Sequence, residues 1–141
     1  MRSSTPLTRA CPWGGRGGYK DSPCRENLVE SNHIHQLGGK LLSDLGGVYL
    51  LGPQPGTVVR GNYIHDLDCF DYGAWGLYTD EGSTHMTLEN NVVIRCARAG
   101  FHQHYGRENT IANNLIAFCG EGGVRRTREE THLSFTFKRN L

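Results

Sequence analysis

"VVRGNYIHDL", residues 58–67, places an asparagine three residues after one apolar position and two before another: Val59, Asn62, Ile64. Read alone, Asn62 is a loop residue, because a buried amide without partners costs roughly 1–3 kcal/mol. It does not stand alone. The same spacing recurs as Val29…Asn32…Ile34, Leu88…Asn91…Val93 and Ile111…Asn114…Ile116, and Phe137…Asn140 starts a fifth copy that the chain end cuts off. Successive asparagines are 30, 29, 23 and 26 residues apart. A second motif, glycine then an apolar residue, lies between them: Gly47-Val48-Tyr49, Gly76-Leu77-Tyr78, Gly100-Phe101-His102 and Gly123-Val124-Arg125.

Short strands of period two, repeated at this interval, predict the stacked coils of a parallel β-solenoid. One coil cannot bury its own apolar face, and stacking joins the faces into a continuous core. Rungs about 4.8 Å apart turn equivalent residues into columns, so each asparagine amide is expected to bond the next. The fold class is therefore all-β, with about four to five coils over residues 27–141 that are incomplete at the C-terminus. Residues 1–26 read as an irregular N-terminal segment, and the chain as a fragment of a longer helix. A β-sandwich is the competing architecture, but its strands usually alternate with tight hairpin signals, and its repeats would not hold register so well.

Composition agrees. The 141 residues are 37% hydrophobic, with 19 glycines. They show no sustained 3.6-residue periodicity. The net charge of +1 makes no case for nucleic acid or a membrane surface. Acid is concentrated in the middle: Asp44, Asp66, Asp68, Asp71, Asp80 and Glu81 stand against Arg60 alone. No stretch is long and apolar enough to span a bilayer, and the N-terminus lacks the apolar centre of a signal peptide.

Five places after each asparagine comes the column Leu37, Leu67, Cys96, Cys119. Cys96 and Cys119 thus stand where earlier coils have leucine, and they read as buried free thiols acting as small hydrophobes rather than as a disulfide. Cys11, Cys24 and Cys69 fall in irregular segments. The pairs His33-x-His35 and His102-x-His104 invite a metal reading, but zinc needs three or four ligands, and stacked surface imidazoles are the reading taken. The loop Asp66-Leu67-Asp68…Asp71 lacks the ligand spacing of a calcium motif. No metal and no cofactor is assigned.

Aligning coils on the second motif gives two columns that point away from the core. One is Tyr49, Tyr78, His102, Arg125; the other is Leu51, Asp80, His104, Thr127. Outward columns rich in Tyr, Asp, His and Arg suit sugar stacking and proton transfer. His104 would stand one rung from Asp80, an arrangement in which imidazolium and carboxylate stabilise each other's charge. Glu81 and Gly82 read as a turn after Asp80.

The stretches "DLGGVYLLGPQPGTVVRGNYIHDL", "WGLYTDEGS", "FHQHYGRENTIANNLIAF" and "VRRTREETHLSFTFKRN" resemble right-handed parallel β-helix proteins of the pectate-lyase-like superfamily. Within it they are most similar to the β-helical glycoside hydrolases of family 141, which include enzymes acting on fucosides and xylan. The resemblance covers about residues 27–141. It implies a secreted or periplasmic enzyme whose partner is a polysaccharide or oligosaccharide, with two catalytic aspartates on the groove face. Asp44 in "SDLGGVY" and Asp80 in "LYTDEG" match them best, with Asp80 the ionised member, Asp44 the proton donor and Glu81 in reserve. Tyr49, Tyr78, His102, His104 and Arg125 are the candidate substrate-binding residues. One difficulty is geometric: about seven extended residues separate the aspartates' strand positions, some 23 Å, so the loop carrying Asp44 must fold over the groove. Two alternatives stay open. One is a polysaccharide lyase using His102 or His104 with Arg125 or Arg126; the other is a β-helix that binds glycans without turnover.

Overall fold

The computed structural model describes residues 12–13 and 16–141, and these form three parallel sheets around one core. The first sheet runs β1 (Pro12–Trp13), β4 (Gly46–Pro53), β7 (Trp75–Thr84), β10 (Phe101–Gln103) and β14 (Val124–Arg126), with β11 (Gly106–Arg107) also paired to β7. The second stacks β2 (Leu28–Glu30), β5 (Val58–Arg60), β8 (Thr87–Glu89), β12 (Asn109–Ala112) and β15 (Phe135–Lys138). The third stacks β3 (His33–His35), β6 (Tyr63–Leu67), β9 (Val92–Cys96) and β13 (Leu115–Ala117). Each strand pairs with its counterpart one coil away, which is the topology of a parallel β-helix and bears out the fold read from the repeat.

The registers reproduce the sequence columns. Val29, Val59, Leu88, Ile111 and Phe137 align in the second sheet. Ile34, Ile64, Val93 and Ile116 align in the third, and Val48, Leu77, Phe101 and Val124 in the first. Most of these side chains are buried and form the main core. The glycine of the second motif has a steric reason. A Cβ on Gly76 would stand 2.1 Å from Val93 Cγ1 and 2.6 Å from the Gly100 carbonyl, and Gly47 and Gly100 meet Ile64 and Ile116 in the same way. The first sheet therefore passes so close to the third sheet's apolar column that no side chain fits between them.

The asparagines form a continuous ladder. The chain enters each through a left-handed residue, Ser31, Gly61, Asn90, Asn113 or Arg139, with φ between 53° and 63°. Asn32 donates its amide to the Asn62 Oδ1, Asn62 to Asn91, Asn91 to Asn114 and Asn114 to Asn140, each at 2.9 Å. The same oxygens accept the backbone N–H of the preceding asparagine at 2.9–3.0 Å. Amide protons also reach the carbonyls of Val29, Val59, Leu88 and Ile111. An interior rung thus accepts twice and donates twice, which removes the burial cost of the amide.

Three features depart from the sequence reading. The N-terminal segment is not wholly irregular: β1 pairs with Tyr49–Leu50 of β4, and the Gly18 N–H bonds the Glu81 carbonyl at 3.0 Å. Cys96 is buried but Cys119, two residues past β13, is only half-buried. Cys11 lies outside the described residues. The acidic middle is dispersed by the fold, since Asp66 pairs with Arg95 at 2.6 Å and Asp68 faces Lys40 at 3.8 Å.

Removing a rung should show what the ladder contributes. Asn91→Ala removes the oxygen that accepts the Asn62 backbone N–H and one of its amide protons, together with the amide bonds to Asn114 and Val59, and should lower the unfolding free energy by roughly 2–4 kcal/mol. Asn113→Ala, at the exposed turn residue just before Asn114, should cost clearly less. Denaturant melts of the two variants check this; equal losses would mean that the interior amides are not dry.

Candidate active site

The outward columns meet in a cleft of about 550 Å³ along the first sheet. Tyr49 pairs with Tyr78, Tyr78 with His102 and His102 with Arg125, so the predicted column stands. It is not solvent-facing, however. Tyr78, Asp80 and His102 are 4%, 7% and 3% exposed. The cover is aromatic: Trp75 stacks on the His102 ring at 4.2 Å and tilts against Tyr78 at 4.5 Å, and Tyr49 meets Tyr78 edge-on at 4.8 Å. This cluster is a second, smaller core outside the main one.

Asp80 and Asp44 both line this cleft. Asp44 reaches it because its backbone is left-handed, φ 54°, and its N–H is tied to the Tyr72 carbonyl at 2.9 Å. The loop turns inward instead of extending the strand, which removes the 23 Å separation of the extended-chain arithmetic. The Tyr78 hydroxyl donates to Asp44 Oδ1 at 3.3 Å. Burial first, then the charges of Asp80 and Asp44, pushes that hydroxyl far above the ordinary phenol range, so it stays a donor. Asp80 accepts a hydrogen bond from the Tyr49 hydroxyl at 2.5 Å.

Glu81 also faces the cleft, and the reason is a β-bulge. Leu51 pairs with Asp80 and Pro53 with Thr84, so four steps of β7 oppose two of β4. Against the next coil, Thr79 pairs with Gln103 and Ser83 with Gly106, four steps against three. The strand thus continues through Glu81 and Gly82 where the sequence reading had a turn. Gly82 carries the distortion with φ 77°, and a Cβ there would stand 2.2 Å from the Gly18 carbonyl. Bulges of this kind re-aim side chains beside functional sites.

The basic candidates are engaged. Arg125 bonds Glu121 at 2.5 Å, and Arg98 reaches the same carboxylate at 3.2 Å. His104 pairs its Nδ1 with the Thr127 hydroxyl at 3.0 Å; the bond found on this side chain runs to Thr127, one rung on, and not to Asp80. Trp75, Tyr72, Arg98 and Glu121 line the cleft and are not among the residues picked from sequence. Trp75 opens β7 one place before the aligned glycine, and the other three lie in loops, where the column arithmetic has no reach. His33, His35 and His65 stack on the third sheet, with His33 Nε2 2.7 Å from His65 Nε2. They stand apart from the cleft, and among the described residues no group of three or more His, Cys, Asp or Glu is arranged to hold a metal ion.

His102 Nδ1 lies 3.3 Å from the Arg125 carbonyl, which can only accept, so this nitrogen carries the proton. Burial pushes the His102 pKa down to about 4. The folded protein therefore holds a neutral imidazole where the unfolded chain protonates near 6.5. Stability from this residue is complete above pH 6.5 and is lost as pH falls toward 4, by roughly 3 kcal/mol in all. The difference in unfolding free energy between wild type and His102→Phe should shrink by that amount over this window. A difference that does not change with pH would mean that His102 is not buried in its neutral form.

The family model described as "Right handed beta helix region" matches residues 13–141. A solved structure described as "Glycoside hydrolase" aligns with TM-score 0.48 and 24% identity, over 87% of this chain and 16% of that one, so the chain spans a small part of that protein's length. No curated protein matches the chain. With the family match running through all three stacked sheets, the chain belongs to the right-handed β-helix family.

Proposed function

We propose that these coils carry the active site of a glycoside hydrolase acting on a complex polysaccharide, with Asp80 and Asp44 as its two carboxyl groups. The observation that carries this reading is that both carboxyls act on one phenol: Tyr78 bonds Asp44, the charges of Asp80 and Asp44 both raise its pKa, and all three line a single cleft. Two carboxyls within reach of one hydroxyl oxygen stand no more than roughly 7 Å apart, close enough for the paired carboxyls of glycosidic cleavage. Asp80, accepting from Tyr49, acts as the nucleophile or base. Asp44, on its turn, protonates the leaving oxygen, and Glu81 on the bulge is the reserve carboxylate. The kinship to family 141 enzymes implied by the sequence motifs makes fucosides and xylosides the first substrates to test.

A lyase needs a cation free to neutralise a uronate. Arg125 is held by Glu121, and Arg126 by Glu129 at 2.8 Å and by the Ser134 hydroxyl at 3.3 Å, so this geometry favours hydrolysis. The full-length protein should release the aryl group from an aryl glycoside, and Asp80→Asn and Asp44→Asn should each lower kcat/KM by about 10²-fold or more. Wild-type activity in either variant removes that residue from the mechanism. Ultraviolet-absorbing unsaturated products from uronate polymers would turn the assignment to a lyase, and saturable glycan binding without products would turn it to a binding module.

A further inference from the structure

Two thiols lie away from the cleft, where the third sheet leads back to the first. Cys96 ends β9, and Cys119 holds the same place one coil later. Leu115, Ile116 and Ala117 pair with Val92, Val93 and Ile94, and the Gly120 N–H bonds the Cys96 carbonyl at 3.0 Å. The sulfurs repeat as the backbones do. Cys96 Sγ points to the Ile94 carbonyl and Cys119 Sγ to that of Ala117, in each case two residues back. Each sulfur also sits 3.3 Å from the Cβ position of a first-sheet glycine, Gly76 for Cys96 and Gly100 for Cys119. The thiols are therefore stacked one rung apart. A rung of about 4.8 Å lies within the Cα separation of about 4.4–6.8 Å that a disulfide spans.

We propose that Cys96 and Cys119 form a thiol–disulfide exchange site that closes into a bond between adjacent coils when it meets a small-molecule disulfide. Cys119 is the attacking residue. It is half-buried where Cys96 is buried, and the neighbouring Cys96 thiol lowers its pKa while that of Cys96 is raised. The Cys119 thiolate attacks one sulfur of the small disulfide; a new S–S bond forms, the old one breaks, and one thiolate leaves. Cys96 then gives up its proton and attacks the Cys119 sulfur, expelling the second thiolate. The cysteines lose two electrons and two protons, and the two small thiols carry them away. Stacked Cβ atoms stand about one rung apart, slightly beyond the roughly 3.5–4.5 Å of relaxed disulfides. The bond therefore closes under strain and belongs to the readily reduced class.

The test is to incubate the full chain with oxidised glutathione and map it by mass spectrometry without reduction. Wild type should lose two free thiols and yield a Cys96–Cys119 cross-linked peptide that dithiothreitol reverses. Cys96→Ala should stop at the first stage, with glutathione held on Cys119, and Cys119→Ala should leave Cys96 unmodified. Wild-type protein that keeps both thiols free while Cys24 or Cys69 reacts would overturn the proposal. So would glutathione that stays on Cys119 of the wild type without cross-linking. Should a variant fail to fold, the wild-type map decides by itself, since the cross-linked peptide is either present or absent.

Discussion

The fold depends on an amide that has nowhere else to go. Each coil turns from the second to the third sheet through a left-handed residue, and the turn brings a polar side chain to the edge of the core. Asparagine solves this because its oxygen can accept two bonds while its nitrogen gives two. The ladder from Asn32 to Asn140 uses that capacity at every interior rung. A slip of one residue would break several buried bonds at once and turn the apolar columns outward, so register is held tightly. Chemistry placed on the coils inherits that register.

The cleft is the clearest beneficiary. Tyr78, His102 and Arg125 come from three coils and fall side by side only because their strands are in register. Asp80 and Asp44 need more than register. Asp80 rides on β7 next to the bulge that turns Glu81 toward the same space, and Asp44 arrives on a left-handed turn held against Tyr72. Buried amides bond the backbone around the bulge. The fully buried Gln103 donates to the carbonyls of Gly106 and Ser134, and Asn109 reaches the Ser83 carbonyl and the Gln103 oxygen. The regular coils thus act as a frame, and the irregular residues set where the carboxylates stand.

That division explains what could be read from sequence. The asparagine and glycine columns were legible because each reflects a constraint on one residue, an amide that must be paired or a backbone that must pass at contact distance. The outward column Tyr49, Tyr78, His102, Arg125 followed from alternation. The bulge did not, since it is a difference in residue count between neighbouring strands and Glu81-Gly82 carries an ordinary turn signature. The approach of Asp44 to Asp80 was hidden for a related reason: extended-strand arithmetic has no place for a left-handed aspartate. Burial of Tyr78 and His102 was missed because Trp75 covers them from just before the aligned glycine. Gln103 and Asn109 stand in columns whose other members differ in type, Leu50 and Thr79 beside Gln103, so no repeated residue marks them.

The central claim is that strand register and the left-handed turn at Asp44 bring Asp44 and Asp80 to one cleft, the one we propose binds sugar. A crystal structure of the full-length protein with a bound oligosaccharide product tests it most directly. The account predicts a sugar ring seated between the two carboxyls, over Tyr78 and beside Trp75. A glycan bound along another face, with the space between Asp44 and Asp80 holding only water, would contradict it.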